Sequence, residues 1–429
     1  MTMDTAHSSA ATPDLPLHKV IAVGIGNALA FYDFLSFSFF ALQIGHCFFP
    51  HGQRGDSLLY ALATFGTGFL TRPLGGVLIG RYGDRAGRKP AMLLSFGLMG
   101  FAILGMALTP SYASIGVAAP ILLVVLRMLQ GFALGGEVGP STAFLIEAAP
   151  PHRRGLYVAV QWATQDFAIL VAGIVGEVLA RALSPEALES WGWRLAFVAG
   201  AAVVPLGLFM RNALPETFHH ADPVAGCAMP ARPPPASLLL IGFVLLAVIG
   251  VGNYVLVYMA TFGQDTLGLA AKTAFGATII CGAVQCVTDL SSGIAADRFG
   301  RKPVLLASIG GLCLLTLPCF AAMAHFHNAA SLYGASAVMS VLVSGLCGPT
   351  LVSLTEALPA AQRSGTLSII YAVAMSVFGG TTQFILKYLI GATGSALAPA
   401  WYFSAAAVLG LVAAWRLRET APGRQGVLF

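Results

Sequence analysis

Charge is what this chain has least of. Of its 429 residues only 10% are Asp, Glu, Lys or Arg, against 57% that are hydrophobic, and the mean hydropathy is +0.80. A soluble protein of this length needs far more charge to cover its surface, so a soluble globular fold is excluded. Cysteine is also sparse: seven residues, at 47, 227, 281, 286, 313, 319 and 347, lie mostly in apolar stretches. An odd, scattered set without zinc-like spacing argues against a disulfide framework and reads as small apolar filler. His219-His220, and His325 with His327, lack further ligand candidates nearby and read as solvated surface, so no metal site is expected. No nucleophile–base set and no long soluble domain stands out; an enzyme, catalytic residues and a cofactor are therefore not expected. The first eighteen residues are polar, with Pro13 and Pro16 and no apolar core before a cleavage site, and read as a tail rather than a signal peptide.

What the chain has in abundance is long apolar runs. A helix needs ~20 apolar residues to cross the hydrocarbon core. Twelve such stretches are read near 19–44, 57–82, 89–109, 117–147, 155–180, 194–212, 237–262, 272–296, 303–324, 331–357, 365–391 and 399–417. The expected fold is an all-α membrane protein. A tail (1–18) precedes an N-terminal six-helix bundle (19–212), a proline-rich linker (213–236), a second six-helix bundle (237–417) and a final tail (418–429). An even number of spans puts both termini on one side. With that side in the cytoplasm, sixteen Lys and Arg fall inside, and only Arg54, Arg181, Arg194 and Lys272 fall outside. The formal charge of +5 is thus an orientation signal, and no nucleic-acid partner is implied. Trp191-Gly-Trp193-Arg194 reads as an interfacial anchor.

One basic motif occurs twice, nearly half the chain apart: Gly80-Arg-Tyr-Gly-Asp84-Arg85-Ala-Gly87-Arg88-Lys89-Pro90, and Gly293-Ile-Ala-Ala-Asp297-Arg298-Phe-Gly300-Arg301-Lys302-Pro303. Glu147-Ala-Ala-Pro150 with Arg154, and Glu356-Ala-Leu-Pro359 with Arg363, keep nearly the same offset. Two echoes at one offset mean an internal duplication. Duplicated halves in a membrane chain point to a transporter with its substrate site between them. Asp84 is placed to cap a facing helix end, and Arg85 and Arg88 to pair with acids on neighbouring helices. One such loop alone would be plain positive-inside anchoring; the copy at Asp297, Arg298 and Arg301 favours a paired gate.

The buried polar residues nominate the site. Asp33 stands near mid-membrane, where a charge costs at least ~2.5 kcal/mol, so it is kept for an ion pair or a proton. Arg72, just before Pro73, and Arg127 are candidates to grip a carboxylate with two parallel hydrogen bonds, or else to neutralise Asp33 or Glu137. Glu137, deeper on the Arg127 helix, is a second proton candidate. Gln161 and Gln165 share a helix face beside Asp166, and Asn253 with Tyr254 offer hydrogen bonds from the second half. Gln285, Asp289, Tyr371 and Gln383 are further polar residues there, and Lys387 reads as snorkelling to water.

These patterns resemble the major facilitator superfamily, and within it the metabolite:proton symporters. The loop signature G-x-x-x-D-R-x-G-R-K stands at 80–89 and 293–302. R-x-x-Q-G-x-x-x-G-G-E runs from Arg127 to Glu137, L-x-R-P-x-G spans Leu70–Gly75, and Gly26, Asn27, Tyr32, Asp33 and Phe34 match the first-span pattern. The glutamate usual three residues before the first-span aspartate is Ala30 here, which leaves any proton role to Asp33 and Glu137. The resemblance implies an inner-membrane importer of a small organic anion with protons, functional as a monomer in the lipid bilayer. Citrate, tricarballylate or another di- or tricarboxylate is favoured. Shikimate or a zwitterion such as proline or betaine is the alternative, and drug antiport a more distant one. If the loops are gates, Asp84→Asn should slow exchange between membrane faces while leaving equilibrium substrate binding intact. A tenfold loss of affinity at an unchanged exchange rate would contradict a gating role.

Overall fold

The computed structural model describes residues 28, 31–50, 54–86, 88–135, 153–201, 205, 234–358 and 363–421. Within these the regular structure is helical. Twelve principal helices follow in order. In the first half, α1 covers 31–39 and continues as Ala41–Phe48, and α2 is Arg54–Leu70 followed by Arg72–Ala86; then come α3 (Arg88–Leu108), α4 (Ala118–Leu134), α5 (Arg154–Ala182) and α6 (Trp193–Gly200). The second half holds α7 (Ala236–Thr261), α8 (Ala271–Phe299), α9 (Arg301–Phe326) and α10 (Ala329–Ala357). It ends with α11, in the pieces Arg363–Ala374, Met375–Gly379 and Gly380–Thr393, and α12 (Ala398–Arg416). Among the described residues seven helices are long and apolar enough to cross a membrane. The outward side chains are apolar: Leu108 is 77% and Leu314 75% exposed. Such a surface belongs in lipid, where exposing it carries no hydrophobic penalty.

Two apolar cores match the two halves. One is formed mainly by α7–α12 and includes Tyr258, Phe262 and Phe320. The other is formed mainly by α1–α6, with Phe34, Phe65, Trp193 and Phe197, and receives Tyr254, Val257 and Phe275 from the second half. Between helices already bathed in hydrocarbon, close packing must replace the hydrophobic effect, and small residues provide it. A methyl group on Gly131 of α4 would overlap the Gly68 carbonyl of α2, and one on Gly135 would overlap the Arg72 carbonyl. The break in α2 at Thr71 sits at this contact. Pro73 has no N–H to donate, and the Thr71 hydroxyl donates to the Met128 carbonyl of α4 at 2.6 Å.

The longest contact between halves is α5 against α8, again a glycine seam. Gly155 meets Gly293 at one end, Gly282 meets the backbone of Asp166 and Leu170, and Gly176 meets Phe275 at the other end. A second crossing joins α2 to α11, where Gly66 meets Gly380 and the Ser376 hydroxyl donates to the Phe69 carbonyl at 2.8 Å. Gly131→Ala should force α2 and α4 apart, an overpacking cost of ~1–3 kcal/mol, and lower the melting temperature of the purified protein. Gly97→Ala, where nothing lies within 4 Å, is the control and should leave it unchanged. Equal melting temperatures for both variants would contradict the seam.

Candidate functional site

Because α4 lies so close to α2, Arg127 reaches into an aromatic cage between α1 and α2. The side chain is fully buried. Its Nη1 donates to the Phe34 carbonyl at 2.9 Å and to the Gln130 side-chain oxygen, and its Nε donates to the Phe65 carbonyl at 3.4 Å. The guanidinium lies 3.8 Å from the Phe34 ring centroid and 4.5 Å from that of Phe65. Arg72 approaches the same Phe34 ring at 4.1 Å and Phe69 at 4.2 Å. Desolvated cation–π contacts are worth ~2 kcal/mol each, which helps hold two cations in one apolar region. Neither is satisfied by its neighbours. Among the described residues, Arg127 Nη2 and Arg72 Nε and Nη2 have no hydrogen-bond partner. Asp33 is fully buried beside Phe34, faced by Gln130 and Arg127, and among the described residues neither of its oxygens closes a hydrogen bond. Among the described residues the cluster therefore holds two cations against one carboxyl group, with donors to spare.

Next to it is a cavity shared by both halves. Phe31 and Leu35 of α1, Trp162, Gln165, Asp166 and Ile169 of α5, Asn253, Tyr254 and Val257 of α7, and Tyr371 and Met375 of α11 line it. Its volume is about 30 Å³, room for a water or two but not for an organic acid. The site is closed in this conformation. Tyr254 ties the cavity to the cage: its ring packs edge-on against Phe69 at 5.2 Å and near Phe65 at 5.9 Å, and Arg72 acts on both Tyr254 and Tyr371. Asn253 is held from two sides, accepting from Gln285 Nε2 at 3.2 Å and donating to Cys347 Sγ at 3.8 Å.

Of the residues nominated from sequence, Gln165, Asn253 and Tyr254 line the cavity, while Arg72 and Arg127 stand against the aromatic cage behind Tyr254. Gln161 is buried one turn along α5 and does not line it. Glu137 lies outside the described residues, as do the side chains of Asp84, Arg85 and Arg88. Trp162, Asp166 and Tyr371 line the cavity without having been nominated for substrate. Trp162 was open to inference, since it stands one turn before Gln165 on the same face.

At the motif end of the bundle the second copy of the repeated loop is engaged. Gly300 takes φ +100°, a conformation that favours glycine, and turns the chain from α8 into α9. Asp297 accepts from the Gly155 and Leu156 backbone N–H groups at 3.0 and 3.1 Å, so a second-half carboxylate caps the first-half helix α5. Arg301, 1% exposed, pairs with Asp297 at 3.2 Å and Glu356 at 3.5 Å, and Glu356 also pairs with Arg154 of α5 at 3.6 Å. Glu419, beyond α12, accepts from the Arg301 and Lys302 backbone N–H groups and anchors the loop from below. Arg298 is exposed over the Phe299 ring. At the opposite end Lys387 differs from its sequence reading. It pairs with Asp265 at 2.6 Å instead of snorkelling to water, because the turn Phe262–Thr266 that ends α7 carries that acid to α11.

Residues 25–382 match the Major Facilitator Superfamily. The chain is 34% identical over 401 residues to the citrate-proton symporter of Klebsiella pneumoniae, covering 92% of this chain and 90% of that one. It is 30% identical over 411 residues to the alpha-ketoglutarate permease of Escherichia coli, covering 94% of each. Its fold matches the crystal structure of a D-xylose-proton symporter with TM-score 0.77 at 20% identity, over 96% of this chain and 99% of that one. The chain belongs to the Major Facilitator Superfamily and is a multi-pass membrane transporter, not an enzyme.

Proposed function

We propose that the protein imports a small organic di- or tricarboxylate together with protons, by alternating access, across the bacterial inner membrane with both termini in the cytoplasm. The observation that carries this reading is the pair of buried arginines with unfilled donors beside a cavity shared by the halves. A carboxylate is the complementary ligand: each unfilled N–H is a desolvated donor, and a planar guanidinium can give two parallel bonds to one carboxylate. The names of the curated relatives, citrate-proton symporter and alpha-ketoglutarate permease, support the same substrate class. Arg72 and Arg127 balance the anion, while Gln161, Gln165, Asn253 and Tyr254 orient it. Asp33, with no hydrogen bond among the described residues, and Glu137 take the proton. Each charge crossing the membrane exchanges ~2.3 kcal/mol per 100 mV, so a multiply charged anion needs accompanying protons to enter a cell that is negative inside.

For substrate to reach a cavity of about 30 Å³, one end must part. In this reading the Asp297–Arg301–Glu356 clasp is the gate at the cytoplasmic end, with Arg298 flanking it, and Asp84, Arg85 and Arg88 form its first-half counterpart. The halves so defined are 19–212 and 237–417, joined by the 213–236 linker.

The reading is tested by uptake of labelled citrate, tricarballylate, 2-oxoglutarate, shikimate and betaine into proteoliposomes under an imposed proton gradient. Carboxylate uptake that collapses with the gradient is expected; uptake of none of the acids would contradict it. Arg72→Lys and Arg127→Lys keep the charge but lose the planar fork, and each should weaken carboxylate binding by about tenfold or more. Unchanged affinity in both variants would make these arginines structural cations only. Asp33→Asn mimics the protonated acid and should abolish uphill accumulation while leaving substrate-for-substrate exchange. Accumulation equal to the parent, with the same pH dependence, would remove Asp33 from coupling.

A further inference from the structure

Two buried acids have no part in the scheme above. Asp166 of α5 and Asp289 of α8 belong to different halves, are 4% and 1% exposed, and face one another across the glycine seam. Asp166 lines the cavity. Among the described residues, no group other than the facing acid and the neighbouring Ser344 is placed to hydrogen-bond the Asp289 carboxyl group. Among the described residues, the groups that act on the pair from the packed helices are Cys281 and Cys286 of α8 and Cys347 and Ser344 of α10. Gln165 and Asn253 share the cavity with Asp166, and none of these six is a cation. The buried cations are engaged elsewhere. Arg72 and Arg127 lie against the Phe34 cage, and Arg301 is in the clasp.

Two carboxyl groups buried together without a cation among the described residues resist ionising together, because desolvation and mutual repulsion each favour keeping a proton. In a static core that proton would be a permanent structural feature. Here its site is split between the two bodies that must move apart. While the seam is shut the two helices pack tightly on either side of the pair: a methyl group on Gly282 would overlap the Leu170 backbone, and one on Gly293 would come within 2.6 Å of the Ala159 Cβ. When α5 and α8 separate, each carboxyl group gains water and loses its like-charged neighbour, so both can ionise.

We propose that Asp166 and Asp289 share one proton across the interface between the halves, and that this forms a second proton site whose occupancy is tied to closure of the seam. On opening, one carboxyl O–H bond breaks and its proton passes to water. On reclosing, one proton is taken back from the side then exposed. The transport consequence rests on the proton-coupled reading above, whereas the shared proton itself does not.

The test uses the full-length protein in the Asp33→Asn background, which removes the other described unpaired acid. In infrared spectra recorded across a pH series, a protonated-carboxyl C=O band should persist into neutral buffer, should be lost at lower pH in Asp166→Asn and in Asp289→Asn, each of which leaves one carboxyl group without its like-charged neighbour, and should vanish in the double variant. A band that neither single substitution moves, or that survives the double one, would overturn the sharing. In proteoliposomes of otherwise wild-type sequence, the double substitution should flatten the pH dependence of the substrate exchange rate, because a proton is otherwise released and retaken each time the seam opens and closes. An exchange rate that keeps the parent's pH dependence would overturn the tie to closure. If the parent moves carboxylate without protons, the symport reading fails, and the infrared result still decides whether the two acids share a proton. Both substitutions preserve side-chain shape, and a monodisperse elution profile with the parent's melting temperature verifies that each variant is folded.

Discussion

A charge inside hydrocarbon must be answered by another charge, a hydrogen bond or an aromatic face, and the first half of this protein is arranged to answer three of them. Arg127 and Arg72 meet on the ring of Phe34, and Asp33 lies beside them. Among the described residues none of the three is fully satisfied. In the proposed function that shortfall is the physical basis of a binding site. A cluster that answered all its own charges would be a structural core, while one that leaves donors open favours an anion, at the expense of stability when empty.

Geometry then converts binding into movement. The cavity beside the cluster draws walls from both halves, and the same halves are held at the motif end by Asp297 capping α5 and by Glu356 joining Arg154 to Arg301. The glycine seam between α5 and α8 lets the two bodies close without gaps. Packed interfaces of this kind tend to be bistable rather than continuously deformable. Opening one end therefore means breaking a defined set of contacts, and a charge change at the seam can bias that step.

Much of this was legible in the residue order, because the bilayer restricts the options so severely. Apolar runs must be helices, basic loops report sidedness, and an acid such as Asp33 cannot be there by accident. What the order of residues conceals is which buried groups meet. Asp166 and Asp289 each read as an isolated polar residue within its own span. Only the antiparallel packing of α5 on α8 brings them together. Lys387 read as snorkelling because its partner Asp265 belongs to a turn four helices earlier, and Glu419 gave no local sign that it would cap α9. The repeated loop was visible as a repeat, but its role as a helix cap on the opposite half depends on the packing of α5 on α8, where Gly155 meets Gly293.

The central claim is that the unfilled donors of the arginine cluster and the buried acids form one linked binding system, so that carboxylate and proton are taken up together. Calorimetry of citrate or 2-oxoglutarate binding to the purified protein, repeated in buffers of different ionisation enthalpy, tests this directly. The account predicts a binding enthalpy that varies with the buffer in the sense of net proton uptake on binding. A carboxylate that binds with the same enthalpy in every buffer, across the pH range in which it binds, would contradict it.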